Sequence, residues 1–146
     1  MTDDSALGGE MTLAIFKLNG QLLGAGEAIT QPAGITVAWW QVIGAVLREP
    51  LTAAGIGRQM GITRQAVQRV ANRLVDEGML EITPNPAHKR APLLTPTAKG
   101  RSAIERIAPE QAAFSSRIVA AFGRDELQHL IAEFHRLSTV IEEAQP

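Results

Sequence analysis

The stretch from residue 63 to residue 78 constrains the fold most, because it has an apolar side, a polar side and a glycine stop. Its apolar residues recur at i, i+3, i+4 and i+7, which predicts an amphipathic helix over residues 63–77 with one buried stripe. They are Val67, Val70, Ala71 and Leu74. The opposite side collects Gln65, Gln68, Arg69, Asn72, Arg73 and Asp76. Gly78 fits the position after a helix at which a positive φ is wanted.

Two helices are expected before this one. Residues 36–48 form an apolar run after Thr36, a good N-cap residue. Residues 51–61 predict a short helix, with Thr52 as the candidate cap and Gly61 as the stop. A short helix, a tight turn and a polar-faced helix follow one another, as in a helix-turn-helix.

A hairpin is expected directly after Gly78. Short strands over residues 79–83 and 92–95 flank the proline-rich, basic segment "PNPAHKRA", residues 84–91. Two short strands joined by such a loop predict a β-hairpin with a protruding basic tip that carries Arg90.

The terminal segments predict longer helices. Residues 11–28 and 125–143 each repeat apolar residues at alternating spacings of three and four, which is a heptad-type seam. Residues 95–122 predict a helix opened by the pair Thr95 and Pro96, and Gly123 ends it. The two seams are Met11, Ile15, Leu18, Leu22 and Ala25, and Leu127, Leu130, Phe134, Leu137 and Ile141.

Charge is concentrated in the centre of the chain. Residues 58–101 contain eight basic and three acidic residues, a net charge of +5, whereas the remaining residues carry −6. This asymmetry is the electrostatic footprint expected for a polyanion partner. A solvated charged face is the alternative that charge alone leaves open.

Composition excludes several classes of function. The chain has no cysteine, which rules out disulfides, thiolate metal sites and cysteine nucleophiles. No histidine pair has helical metal-ligand spacing, and neither a catalytic constellation nor a phosphate-binding loop is present. We therefore expect a protein that is not an enzyme and needs no metal or cofactor. No apolar run reaches membrane-spanning length and the N-terminus is acidic, so no membrane association and a cytoplasmic location are expected.

The central pattern favours DNA as the partner. An α-helix fits the major groove, where Gln and Asn can pair with base edges and Arg with guanine or phosphate. The predicted fold class is mainly α with a small β-hairpin, in one domain over residues 1–146. Its winged helix-turn-helix covers residues 36–100, and dimerisation helices over residues 10–30 and 101–146 flank it. A winged-helix module that binds another protein without binding DNA is the alternative.

Residues 51–100 resemble the core of the MarR family of bacterial transcriptional regulators. The family pattern has a scaffold helix that begins Leu-Thr, a recognition helix with Val-x-Arg and Arg-Leu, a wing "PxPxDRRA" and a closing "LTPxG". The matching residues are Leu51, Thr52, Arg64, Val67, Arg69, Arg73, Leu74, Gly78, Met79, Leu80, Glu81, Pro84, Pro86, Lys89, Arg90, Ala91, Leu94, Thr95, Pro96 and Gly100. Two wing positions depart from it: His88 replaces an acid, and Lys89 replaces a frequent Arg.

The resemblance implies a homodimer that places one winged domain on each half of a pseudo-palindromic operator in double-stranded DNA. Base contacts then fall to Gln65, Ala66, Gln68 and Arg69 of the recognition helix, and minor-groove contacts to Lys89 and Arg90 of the wing. Thr63, Arg64 and Arg73 are expected to contact phosphates or to support the helix.

A small-molecule effector is also implied. Many family members bind small, often aromatic or anionic ligands between the dimer region and the winged domain, and the ligand weakens DNA binding. The resemblance thus implies a repressor that a ligand releases. The candidate ligand-binding residues here are Phe16, Lys17, Trp39, Trp40 and Ile43. Plain core packing is the alternative role for the aromatic ones.

Overall fold

A computed structural model describes residues 3–146, and it confirms a mainly helical chain with one two-stranded antiparallel hairpin. A single 3-10 turn, Gln31–Ala33, links the first two helices. The helices and strands are α1 Asp3–Thr30, α2 Val37–Ala45, α3 Ala53–Met60, α4 Arg64–Asp76, β1 Leu80–Thr83, β2 Leu93–Pro96, α5 Ala98–Phe122 and α6 Arg124–Ala144. The predicted winged helix-turn-helix is α2 to β2, and helices flank it on both sides.

The described chain forms two compact units, which divide between Ile107 and Ala108. The hydrophobic core lies in the first unit, where α2, α3, α4, the hairpin and the start of α5 meet. All three strictly buried residues of α4 belong to the stripe that the sequence predicts. The buried core residues are Ile35, Val42, Ile43, Ala45, Val46, Ile56, Val67, Ala71, Leu74, Met79, Leu80, Leu94, Ala103 and Ile107.

Three threonines begin the three central helices, and two of them, Thr36 and Thr52, are the predicted caps. The Oγ1 atoms of Thr36, Thr52 and Thr63 accept hydrogen bonds from backbone N–H groups three residues later, at 3.1, 3.0 and 3.1 Å. Each bond satisfies one N–H group that the first helical turn leaves without an internal partner. The first residue of the recognition helix is therefore Arg64, and Thr63 supports the helix from its N-cap.

Three predicted boundaries were wrong. α1 begins at Asp3 rather than near residue 11, because a helix once nucleated extends through weak formers such as Gly8 and Gly9. Leu51 lies outside α3 and exchanges two backbone hydrogen bonds with Leu94 of β2. The sequence pattern hides this bridge, since a single paired residue has no periodicity.

The third error concerns the start of α5. Thr95 is not its cap: it lies in β2 opposite Glu81, and its hydroxyl bonds that of Thr83 at 3.2 Å. Thr97 caps the helix instead, accepting from the Gly100 N–H at 3.1 Å. Strand pairing extends β2 through Pro96, which moves the helix start two residues along the chain.

The end of α4 is joined to the start of α5 through three consecutive carbonyl groups. Lys99 Nζ donates to Glu77 O at 2.7 Å, Thr97 Oγ1 to Gly78 O at 2.6 Å and Thr97 N to Met79 O at 3.1 Å. Gly100 packs directly here, since a Cβ atom on it would lie 2.2 Å from Met79 O. These carbonyls would otherwise lack partners at a helix end.

Gly78 makes this junction possible. Its φ of +75° is the left-handed conformation that the sequence predicts. The Met79 N–H donates to Leu74 O at 2.8 Å and the Gly78 N–H to Val75 O at 3.0 Å, which is a Schellman motif. The chain reverses there and enters β1, whose Leu80 and Ile82 pair with Pro96 and Leu94 of β2.

The second unit contains the C-terminal part of α5 and the whole of α6. α5 continues through Pro109, and Gly123, with a φ of +105°, ends it one residue before α6 begins. On α6 the Arg136 guanidinium hydrogen-bonds Glu133 and holds the pKa of that carboxyl below its ordinary value. The pair is solvent-exposed, so it adds little to stability.

Gly57 supplies a test of how tightly the helix-turn-helix is packed. A Cβ atom on Gly57 would lie 2.6 Å from Ile62 O, so the α3–α4 turn rests on its bare backbone. We expect Gly57→Ala to lower the free energy of unfolding by about 1–3 kcal/mol, because the turn must move, despite the higher helix propensity of Ala. Urea unfolding followed by circular dichroism measures this.

Gly44 of α2 provides the matched control. A Cβ atom there would meet only Trp40 Cδ1, at an ordinary 3.9 Å. Gly44→Ala should therefore be neutral or stabilise by up to about 1 kcal/mol. A Gly57→Ala variant as stable as Gly44→Ala would contradict the close approach.

Candidate nucleic-acid interface

The outer face of α4 is polar and open to solvent. Val67, Ala71 and Leu74 are completely buried on the inner face. The predicted contact residues Arg64, Gln65, Gln68, Arg69 and Arg73 are all exposed, and Ala66 is half-buried beside them. The helix thus has the two sides that insertion into a groove requires, one anchored and one free.

The eight basic residues of the central segment divide into two groups. Three make contacts within the chain: Arg73 pairs with Glu77 at 3.1 Å, Lys99 bonds Glu77 O and Arg101 bonds Leu47 O. In residues 3–146 the other five form neither a hydrogen bond nor an ion pair, and all are exposed: Arg58, Arg64, Arg69, Lys89 and Arg90. The structure therefore narrows the basic footprint to α3, α4 and the wing.

One pair of carboxamides is already joined on the exposed face of α4. Gln68 Nε2 donates to Asn72 Oδ1 at 2.8 Å, one helical turn further on. Such i, i+4 pairs stabilise a helix by about 0.2–0.5 kcal/mol. The bond therefore orients the two side chains and adds little to the stability of the fold.

Asn85 closes the wing. Its Nδ2 donates to Ala91 O at 2.8 Å, its Oδ1 accepts from Ala87 N at 3.1 Å, and its own carbonyl accepts from His88 N at 3.2 Å. The side chain thus ties both legs of the loop together while Lys89 and Arg90 remain exposed. Asn85 is not among the predicted contact residues, although an Asn between two prolines is a signal for local side-chain-to-backbone bonding.

The wing and α4 share one groove of about 140 Å³. Arg64 and Gln68 line it from α4, Ile82 from β1 and Arg90 from the loop. The loop between the strands spans residues 84–92, so its midpoint is His88 and Arg90 lies on the returning leg. Arg90 is therefore not at the tip, and it extends the cationic surface of the recognition helix.

The five predicted ligand-binding residues have very different environments. Ile43 is fully buried in the core, and Trp39 and Trp40 are half-buried and pack against it. Phe16 is 67% exposed and Lys17 is exposed. α1 meets Trp40 near Gly26, ten residues and about 15 Å along the helix from Phe16. The effector site stays a prediction.

Comparison with known proteins decides the family. The sequence model of the MarR family matches residues 33–91. The uncharacterized protein Rv2011c of Mycobacterium tuberculosis is 33% identical over 146 residues, the full length of both chains. This chain belongs to the MarR family.

Solved structures agree on the fold. Staphylococcus aureus MarR in complex with salicylate and kanamycin superposes with a TM-score of 0.75 at 17% identity, covering 96% of this chain and 95% of that one. Other MarR-family transcription regulators give 0.74 and 0.76. The transcriptional activatory protein BadR of Rhodopseudomonas palustris is 25% identical over 140 residues, 88% of this chain and 79% of that protein. In residues 3–146 no helix combines the length and apolarity that a membrane crossing requires.

Asn85 yields a prediction about this MarR-family wing. Asn85→Ala removes both side-chain bonds, so the Ala87 amide should exchange with solvent faster while the amides of α4 keep their protection. Because the loop is exposed, we expect the unfolding free energy to fall by only about 1 kcal/mol. Hydrogen exchange resolved by residue measures both effects.

Asn85→Asp is the matched control. A carboxylate keeps the bond from Ala87 N but cannot donate to Ala91 O. Ala87 should then exchange as in the natural chain. Equal exchange at Ala87 in all three proteins would show that Asn85 does not hold the loop.

Proposed function

We propose that this chain is a sequence-specific regulator that binds double-stranded DNA as a homodimer. The observation that carries the proposal is the set of exposed cations without intramolecular partners on α4 and the wing, next to the exposed amides of Gln65 and Gln68. Cations supply affinity for phosphate, and amides can read base edges. A buried stripe on the same helix keeps both in place.

The exposed apolar surface supports a dimer. Of the fourteen large apolar side chains that are exposed in residues 3–146, thirteen lie on α1, the C-terminal part of α5 or α6, and Ile82 is the other. Monomeric proteins seldom expose apolar residues at this density. Pairing of these helices with a second copy would cover them and give the two-fold symmetry that a pseudo-palindromic operator needs.

We further propose that the regulator is a repressor released by a small aromatic or anionic ligand. A dimer bound at a promoter excludes polymerase most simply. The salicylate complex of Staphylococcus aureus MarR supports a ligand of this chemistry, and the half-buried Trp39 and Trp40 are the groups that would meet it. BadR is a transcriptional activatory protein, so activation of transcription is the alternative to repression.

The decisive experiment concerns Arg90. We expect Arg90→Ala to weaken binding to both operator and random duplexes. The salt slope of log K should fall by about one per lost phosphate contact, and thus by about two when both subunits of a dimer lose one. Fluorescence anisotropy at several salt concentrations measures the affinity and the salt slope. The operator is first located by footprinting the DNA upstream of the gene that encodes this chain. Repeating the titrations with aromatic carboxylates tests the effector.

Arg117→Ala is the control for Arg90, since it removes the same exposed charge from α5 outside the winged region. Its affinity and salt slope should equal those of the natural chain. If Arg90→Ala also leaves every affinity and slope unchanged, the basic hairpin is not a DNA wing. Absence of any binding to duplex DNA would favour the protein-interaction module.

Phe134 tests the dimer. This side chain is 46% exposed on α6, so Phe134→Asp should leave the single chain folded. In a dimer the carboxylate would be buried without a partner, so we expect dissociation at micromolar concentration. Sedimentation equilibrium with circular dichroism follows both. His135→Asp, at the exposed neighbouring position, should remain dimeric. A folded monomer of the natural chain at that concentration would refute the dimer.

A further inference from the structure

The bond between Gln68 and Asn72 holds the Gln68 carboxamide in place on the exposed face of α4. A free carboxamide can turn by 180° and exchange its oxygen for its NH2 group. Here Nε2 donates to Asn72 Oδ1 at 2.8 Å, so Nε2 lies toward the C-terminal end of α4 and Oε1 away from it. In residues 3–146 Gln65, on the same face, makes no comparable bond.

The groups that remain available define a recognition pattern. One N–H of Gln68 and the Oε1 acceptor stay free, side by side, on an exposed surface of the helix. They can bind an edge that offers one acceptor beside one donor. In the major groove adenine has this pattern, with the N7 acceptor next to the N6 amino group.

The other bases do not match the pattern. Guanine presents two acceptors, N7 and O6, so one of them would face the acceptor oxygen of Gln68. Cytosine presents a donor alone, and thymine an acceptor beside a methyl group. A mismatched base leaves a polar group of Gln68 without a partner where the groove has displaced water.

We propose that Gln68 reads an adenine in each operator half-site, and that Asn72 is the positioning residue that orients its carboxamide for that base. The proposal rests on the DNA-binding function proposed above and adds the chemistry of the operator. Orienting the amide in the free protein reduces the ordering that binding would otherwise require.

The first experiment identifies the base. Selection from random duplexes should give the natural chain a site with an adenine at one symmetric position, and Gln68→Ala should lose the preference at that position alone. Changing that base pair should weaken the natural chain by about five- to 150-fold. Replacing the adenine by 7-deazaadenine, which lacks the N7 acceptor, should weaken the natural chain by about fivefold and leave Gln68→Ala unaffected.

The second experiment isolates Asn72 by comparing two variants. Asn72→Ala removes the acceptor, so the ratio of affinities for adenine and guanine at that position should fall severalfold. Asn72→Asp keeps an acceptor for Nε2 but adds a negative charge near phosphates, so it should weaken every duplex by a similar factor and keep the ratio. If Asn72 had only a structural role, both variants would lose affinity for every duplex, and neither would change the ratio of affinities for adenine and guanine. Gln145→Ala, beyond the end of α6, is the amide-removal control and should change neither.

Each failure has a distinct meaning. A selected base other than adenine, or equal loss with 7-deazaadenine in the natural chain and Gln68→Ala, overturns the adenine assignment. An unchanged affinity ratio in Asn72→Ala overturns the role of Asn72. Failure of the natural chain to bind any duplex would instead refute the proposed DNA-binding function itself.

Discussion

The junction at Glu77, Gly78 and Met79 is the constraint on which the rest of the winged domain depends. Here α4 ends, the chain reverses, and three consecutive carbonyls accept hydrogen bonds from Thr97 and Lys99 at the start of α5. The last carbonyls of a helix have no partner inside the helix, so they need another donor or water. Because the junction satisfies these groups and sets the direction of β1, it places the recognition helix, the wing and α5 relative to one another within the first unit.

The basic surface that a polyanion can reach depends on which cationic side chains already have partners within the chain. Formal charge assigns eight basic residues to the central segment, but Arg73, Lys99 and Arg101 already have partners within the chain. The five that remain are exposed, at positions from which phosphates can reach them. Lys99 belongs to the first turn of α5, but its ammonium lies at the C-terminal end of α4, where the dipole of that helix favours a cation. Net charge therefore overstates the surface that is available to a polyanion.

The wing shows how a departure from a family pattern is accommodated. This chain has His88 where MarR-family wings usually have an acid, yet the loop is closed by Asn85, which bonds both of its legs. Asn85 occupies the variable position between the two prolines of the family wing pattern, so that pattern does not predict a role for it. The groove behind the wing then brings Arg90 to Arg64 and Gln68, which are more than twenty residues away along the chain.

The sequence by itself determined the elements whose signals are local: the buried stripe of α4, the caps Thr36 and Thr52 of α2 and α3, the positive φ at Gly78 and the hairpin strands, because periodicity and capping act within a few residues. It also carried the family pattern and the polar face that faces solvent. Tertiary structure alone decided the rest. The Leu51–Leu94 bridge, the displacement of the α5 cap from Thr95 to Thr97, and the contact between Gly57 and the following turn each depend on residues that meet only after folding. The partners of Lys99 and Arg101 depend on the same packing, since a partner distant in sequence leaves no periodic trace in the chain, whereas Arg73 pairs with Glu77 four residues along its own helix.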